Sequence, residues 1–233
     1  MSNSVTGENG RIVWIDCEMT GLDTVNDALV EVAAVVTDAE LNVLGGGVNV
    51  VIAPPEGALE RMDPFVVDMH TRSGLITELA DGVSLEEAQR IVLDYVRAWV
   101  PEPGKAPLAG NTVGMDKAFL ERDMPELMAH LHYRVIDVSS LKELARRWFP
   151  RIYFASPEKH GGHRALADIL ESIDELRYYR AAMLVPPPGP DTETARAIAA
   201  EITRTSVAAA HLAQQPAQPS EATTAAAQAP TES

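Results

Sequence analysis

Apolar positions in the first part of the chain come in short unbroken runs, and further on they take up helical spacing. The first run, Arg11-Ile12-Val13-Trp14-Ile15, has the β-branched and aromatic content of a buried strand and ends on Asp16-Cys17-Glu18. Ala28 to Thr37 (ALVEVAAVVT) predicts a second strand, and Asp38-Ala39-Glu40-Leu41-Asn42 turns it into a third, from Val43 through Gly45–Gly47 to Ile52. Strands joined by short turns predict an antiparallel meander, and the glycine run predicts a bulge or bend. After Pro54-Pro55 the period changes. Asp63 to Ser73, which holds Phe65, Met69 and His70, reads as an irregular, partly helical segment. Ser84-Leu85-Glu86-Glu87 is a capping box opening a helix to about Val100. Its Leu85, Ala88, Ile91, Val92, Tyr95, Val96 and Trp99 fall on one face, and Pro101, Pro103 and Gly104 stop it.

Pro107 to Asn111 then predicts a fourth strand, Val113 to Met124 a helix and Arg134 to Asp137 a fifth strand. Ser139 or Ser140 can cap the helix that runs to Trp148; Ile152 to Gly162 reads as a polar loop, and about Arg164 to Leu184 as the last folded helix. A meander followed by alternating helix and strand makes an α/β fold, a mixed five-stranded sheet covered by helices.

Composition sets the limits of the folded part. From Pro186 onward the chain is Pro, Ala, Thr, Gln and Ser with almost no large apolar residue, so residues 186–233 are expected to be a disordered tail, with a transient helix over Thr194 to Leu212. Residues 1–9 are polar and expected to be flexible, which leaves 10–185 as one domain. No signal peptide or membrane span is expected. The single cysteine, Cys17, excludes an internal disulfide and fits a reducing cytoplasm. Net charge is −15, of which the tail's five acids and two arginines account for only −3. So acidic a body does not bind long nucleic acid by a diffuse basic face; a polyanion would have to be met locally, by metal ions and a few placed cations.

Alternation along a strand brings the carboxylates of Asp16 and Glu18 out side by side and turns Cys17 to the opposite face, into the core. Adjacent carboxylates on a core strand repel unless a cation joins them, and hard divalent ions take such ligands. The plainer reading makes Asp16 a turn residue and leaves Glu18 exposed. Asp116 falls in the first turn of the helix after the fourth strand, where the helix dipole alone would favour an acid. His163 and Asp168 are five positions apart, about 140° around a helix, so they share no helical face. They can converge only if His163 lies in the loop before the helix, which Gly161-Gly162 permits by acting as a hinge.

Taken as an ordered set, Asp16-x-Glu18, Asp116 and His163-x-Ala165-x-x-Asp168 resemble the four-acid, one-histidine exonuclease superfamily, which has a ribonuclease-H-like fold. Within it, Trp14 to Leu22, Gly110 to Asp116, Met124 to Leu127, His132-Tyr133-Arg134 and Asp137 to Trp148 look like the oligoribonuclease family. The resemblance covers about Ile12 to Met183. It implies that Asp16, Glu18, Asp116 and Asp168 hold two divalent ions, Mg²⁺ or Mn²⁺, with His163 as general base. It implies 5′-mononucleotides released from the 3′ end of very short RNA, down to dinucleotides, in a closed pocket. Leu22 and Phe65 would wedge the bases; Thr112, Arg134 and Ser139 would cap the 5′-phosphate, with His70 nearby. It further implies a homodimer in which Tyr133 reaches into the partner's site. Phe65 stands where some relatives carry a larger aromatic residue, and Thr112 where they carry serine. A general 3′-to-5′ exonuclease acting on longer DNA or RNA would use the same catalytic set, but the net charge and the lack of a Lys/Arg-rich stretch argue against it. A catalytically silent binding module would have no need to fill all five positions.

Overall fold

The strand that carries Trp14 is the middle of the molecule. In the computed structural model, which describes residues 10–158 and 162–208, β1 (Ile12–Met19) is the central strand of a five-stranded sheet. β2 (Leu29–Thr37) and β3 (Val43–Val51) pair antiparallel on one side, and β4 (Pro107–Gly110) and β5 (His132–Asp137) pair parallel on the other, giving the order β3-β2-β1-β4-β5. The expected flexible N-terminus 1–9, Gly161 of the expected hinge and the tail beyond residue 208 lie outside the described residues.

Alternation along β1 feeds two cores. Val13, Ile15 and Cys17 face a core closed by Ala88, Val92 and Val96 of α3 (Leu85–Trp99) and by Leu120, Met124 and Leu127. Trp14 faces the other, against Ala165, Ile169, Ile173 and Tyr179 of the helix Ala165–Met183 and Val138 and Ala145 of the helix Val138–Trp148. There its indole N–H donates to Thr37 Oγ1 at 3.0 Å, so the buried ring leaves no polar atom unpaired. β2 is buried along its whole length, which is why it reads as a nearly unbroken apolar run. Its pairing with β3 slips between Ala34 and Val36, the bulge expected from the glycine run. Gly45 takes a φ of +74° there, and a Cβ would come within 2.7 Å of the Trp99 ring.

Several elements differ from the pattern-based expectation. The segment after Asp63 is a regular helix, α1 (Pro64–Arg72), because Asp63 accepts from the Phe65 amide at 2.8 Å and Pro64 starts the first turn. A short helix, α2 (Leu75–Glu78), and a 3₁₀ turn, Leu79–Asp81, follow it. α3 is capped by Ser84, as its capping box predicts. α4 (Gly114–Asp123) is followed by a separate α5 (Pro125–His130), which Pro125 opens. β5 starts two residues earlier than expected. The cap of α6 (Val138–Trp148) is Asp137, not Ser139 or Ser140: its carboxylate accepts from Ser139 N at 2.9 Å, which puts both serines inside the helix. The expected polar loop opens with a helical turn, α7 (Pro150–Phe154). α8 spans Ala165–Met183.

The chain divides into two units between Leu184 and Val185. In the second, α9 (Thr192–Arg204) is capped by Asp191 and buries none of its residues; it overlaps the stretch where a transient helix was expected. No helix among the described residues is long and apolar enough to cross a membrane.

Candidate active site

The carboxyl end of β1 gathers the acids. Asp16, Glu18 and Asp168 each offer an oxygen within 4.8 Å of the others. Asp168 reaches them because α8 packs across the Trp14 face of the sheet and places it in its first turn. Asp116, in the first turn of α4, is tied to the same strand by accepting from Cys17 N at 3.0 Å. Burial and mutual repulsion act together here. Desolvation first, then Asp116, Asp168, Glu18 and Glu31, push Asp16 from 3.8 to about 9. Desolvation and the Asp168, Glu31 and Asp116 charges push Glu18 from 4.5 to about 8. Asp116 rises to about 6, mainly by desolvation, held down by the Cys17 amide. Clustered, desolvated oxygens that resist ionisation suit a hard divalent cation, which removes both penalties at once. Cys17 points away into the core, as the alternation requires.

Leu22 and Phe65 are both exposed, at 68% and 73%. Leu22 sits on a loop held firmly from below. Asp27 accepts from Thr20 Oγ1 and from Asp23 N, and Arg122 donates to the carbonyls of Thr24 and Asp27. Gly21 is needed there, since a Cβ would lie 2.3 Å from the Asp27 carboxylate. Phe65 projects from the first turn of α1. One turn further on, His70 is fully buried, with Nε2 2.9 Å from Met19 O. Met19 O can only accept, so Nε2 donates to it, and Nδ1 faces Glu18 Oε2, 3.9 Å away. That Nδ1 has no hydrogen-bond partner among the described residues.

Thr112 and Ser139 meet. The turn after β4 puts Thr112 at a φ of +54°, costly for a β-branched residue. Its amide donates to Asp137 Oδ1 (3.0 Å) and Ser139 Oγ (2.9 Å), and the two hydroxyls lie 3.0 Å apart. Behind them Asn111 accepts from Ser139 Oγ and donates to Ser172 Oγ (2.8 Å) and Glu175 Oε2 (3.0 Å). Ser172 in turn donates to Asp168 O at 2.7 Å. A hydrogen-bonded path therefore runs from the Thr112–Ser139 pair to the helix turn that carries Asp168. Tyr133 is 77% exposed and stacks on His132, and its hydroxyl accepts from Arg134 Nε at 3.1 Å. Arg134 is likewise exposed.

His163 lies in the loop before α8, exposed, with a φ of +45°. It is the residue preceding Arg164, whose guanidinium bridges Glu31 and Glu78. Sequence reasoning passed over Glu31, Arg164, Asn111, Asp137, Ser172 and Glu175. The first had a signal: Glu31 is the one acid in a strand otherwise apolar or small, and it pairs directly across from Glu18.

An exonuclease family model matches residues 13–176. The oligoribonuclease of Streptomyces coelicolor is 66% identical over 193 residues, covering 83% of this chain and 96% of that protein. That of Cutibacterium acnes is 59% identical over 190 residues, 82% of this chain and 94% of that protein. Among solved structures, E. coli exonuclease I in a zinc-bound complex with single-stranded DNA superposes with a TM-score of 0.59 at 17% identity, over 75% of this chain. Exonuclease I from Methylocaldum szegediense gives 0.56 at 20%, over 74%. The chain spans about two fifths of each exonuclease I chain, 41%. The likeness is one of fold, ribonuclease-H-like.

Proposed function

Because this chain belongs to the oligoribonuclease family and is a 3′-to-5′ exoribonuclease, we propose that its preferred substrates are 5′-phosphorylated dinucleotides, hydrolysed to 5′-mononucleotides with two divalent ions. The observation that carries the length limit is the strained Thr112 turn, held by two hydrogen bonds to Ser139 and one to Asp137, and linked through Asn111 and Ser172 to the helix turn that carries Asp168. A cap at the Thr112–Ser139 pair, tied by hydrogen bonds to the turn that carries Asp168, would measure substrate from both ends. Arg134 would add charge-assisted bonds to the 5′-phosphate. Leu22 and Phe65, exposed on well-anchored supports, would take the bases between them.

Asp16, Glu18, Asp116 and Asp168 would hold the ions, Mg²⁺ or Mn²⁺. Bound there, such ions would neutralise the phosphate, lower the pKa of the attacking water and steady the leaving 3′-oxygen. His163 would take the proton from that water on an unprotonated ring nitrogen, reaching the cluster from its loop. His70 would lie near the substrate, behind Glu18.

The working assembly is a homodimer acting in the cytoplasm. In support, the edge strand β5 exposes Tyr133 and Val135, and Trp148, Phe149 and Phe154 are exposed beyond it in sequence. Tyr133 would complete the partner's site.

The test is kcat/KM for a 5′-phosphorylated dinucleotide against a heptamer, in wild type and Arg134→Ala. The dinucleotide should be favoured. Loss of Arg134 should erase most of the preference, about 10–150-fold, the worth of one charge-assisted contact. Equal values for the two lengths in wild type would favour a general exonuclease with an open groove.

A further inference from the structure

α8 has no side-chain cap of its own; its N-cap residue is Arg164, and the cap is supplied from β2. Glu31 Oε2 accepts from Ala165 N at 3.1 Å, across 134 positions of sequence. Glu31 Oε1 accepts from Arg164 Nε at 3.0 Å and Nη2 at 2.8 Å, and from Asn49 Nδ2 at 2.9 Å. The guanidinium also meets both oxygens of Glu78, at 2.8 and 2.9 Å. Glu31 is completely buried. Packing alone would be served better by an apolar residue at that place in β2, because a buried carboxylate is costly and ion pairs of this kind add little net stability. What such a pair does add is a defined position.

We propose that Arg164 and Glu31 form a clamp that positions His163 and Asp168 against the carboxylates of β1. The proposal rests on the roles assigned above to those two residues. Its geometry is direct. Glu31 lies opposite Glu18 in the β1–β2 register, so the clamp fixes the start of α8 beside the strand position that carries a metal-ligating acid. The carbonyl of Arg164 accepts from Asp168 N at 3.1 Å, closing the first turn around Asp168. His163 is the preceding residue, with a left-handed φ of +45°. Holding one residue therefore holds its two functional neighbours. Arg164 also neutralises Glu31, which would otherwise stand as one more carboxylate beside the cluster.

The test compares Arg164→Met, Arg164→Lys, the charge-free double variant Glu31→Gln/Arg164→Met, and Glu78→Gln. The double variant leaves no unpaired buried charge, and Glu78 is exposed, so both keep the test usable if a single variant fails to fold. The measurements are kcat and KM on the dinucleotide, Mn²⁺ binding by calorimetry, and amide exchange over residues 165–168. Arg164→Met and the double variant should lower kcat by roughly 10–100-fold with KM within about threefold, as expected when reacting groups are misplaced. They should also weaken Mn²⁺ binding and speed exchange at residues 165–168. Arg164→Lys should recover only part, since an ammonium cannot reproduce the fork between two carboxylates. Glu78→Gln should loosen the same amides to a smaller degree. A folded double variant with wild-type kcat, Mn²⁺ affinity and exchange would overturn the clamp. Asp168→Ala, run alongside, tests the underlying assignment by itself: retained activity and Mn²⁺ affinity in that protein would remove the role of Asp168, whatever the clamp variants do.

Discussion

Chelated, metal-free protein should be less stable at pH 8 than at pH 5. Asp16 is raised from 3.8 to about 9 and Glu18 from 4.5 to about 8, so the folded chain holds these protons more tightly than the unfolded one. Stability from such groups is fully present below their unfolded values and is lost as pH rises toward the folded ones. Each pH unit in that window costs about 1.4 kcal/mol per titrating group, so Asp16 alone could remove up to about 4 kcal/mol between pH 5 and 8. Water entry and relaxation reduce this, which leaves about 2–4 kcal/mol for the whole cluster. For a domain of this size 1 kcal/mol moves Tm by about 2–4 °C, so Tm should fall by about 4–16 °C. Carboxylates held below their usual range, such as Asp38 beside Asn42 and Glu143 beside Arg147 and Arg146, lose their contribution only as pH falls, outside this window. Saturating Mn²⁺ should stabilise the protein more at pH 8 than at pH 5, because it binds the ionised form. The perturbation that isolates the cause is Asp16→Asn. Chelated, this variant should melt above wild type at pH 8, fall less steeply with pH, and gain less from Mn²⁺. Thermal melts in chelator across the pH range decide it. A flat wild-type Tm, or an Asp16→Asn protein that falls as steeply as wild type, would refute the charge-cluster reasoning.

His163→Ala should cut turnover by roughly 10²–10⁴-fold and change the pH dependence of turnover; an unchanged pH profile would assign the base elsewhere. Tyr133→Ala mixed with Asp16→Ala should recover activity at about one site in some heterodimers, because an intact acidic cluster would receive Tyr133 from the other chain. No recovery despite verified subunit exchange would leave Tyr133 working within its own chain, or idle.

How much of this was readable in the sequence depends on the range of the interaction. The strand order of the meander, the α3 face and the Ser84 cap rest on local periodicity and turn chemistry, and they came through. Asp16 and Glu18 share a face because alternation is local. Asp168 joined them only through the resemblance, since its approach depends on how α8 packs over Trp14. The α6 cap was misplaced because Asp137 doubles as a strand end, and strand pairing gives no warning that a side chain will also cap. Asn111, Ser172 and Glu175 are ordinary polar residues in sequence; only a contact across 61 and 64 positions gives them meaning. Glu31 was legible in principle. An acid at an interior position of a wholly buried strand demands a partner, and no local residue supplies one.

The place of the site follows from the parallel half of the sheet. β1 is antiparallel to β2 on one side and parallel to β4 on the other, and ligands in open α/β sheets bind outside the carboxyl ends of the strands. Parallel pairing makes β4 finish at Gly110 alongside β1, so whatever follows β4 is delivered to the end of β1. Thr112 and Asp116 both follow it. The approach is close: a Cβ on Gly110 would lie 3.1 Å from Ile15 O, the carbonyl just before Asp16. The same crossing lets Asp116 accept from the Cys17 amide between the two acids of β1, so one carboxylate from α4 satisfies the backbone of the strand whose acids it also repels. β5, parallel again, then ends at Asp137, and its carboxylate draws the Thr112 turn across onto Ser139. The Thr112–Ser139 pair and the acidic cluster thus lie beyond the carboxyl ends of three neighbouring parallel strands, β1, β4 and β5. Neighbouring strands stand about 4.8 Å apart, so these groups open on one short stretch along the carboxyl ends of the sheet.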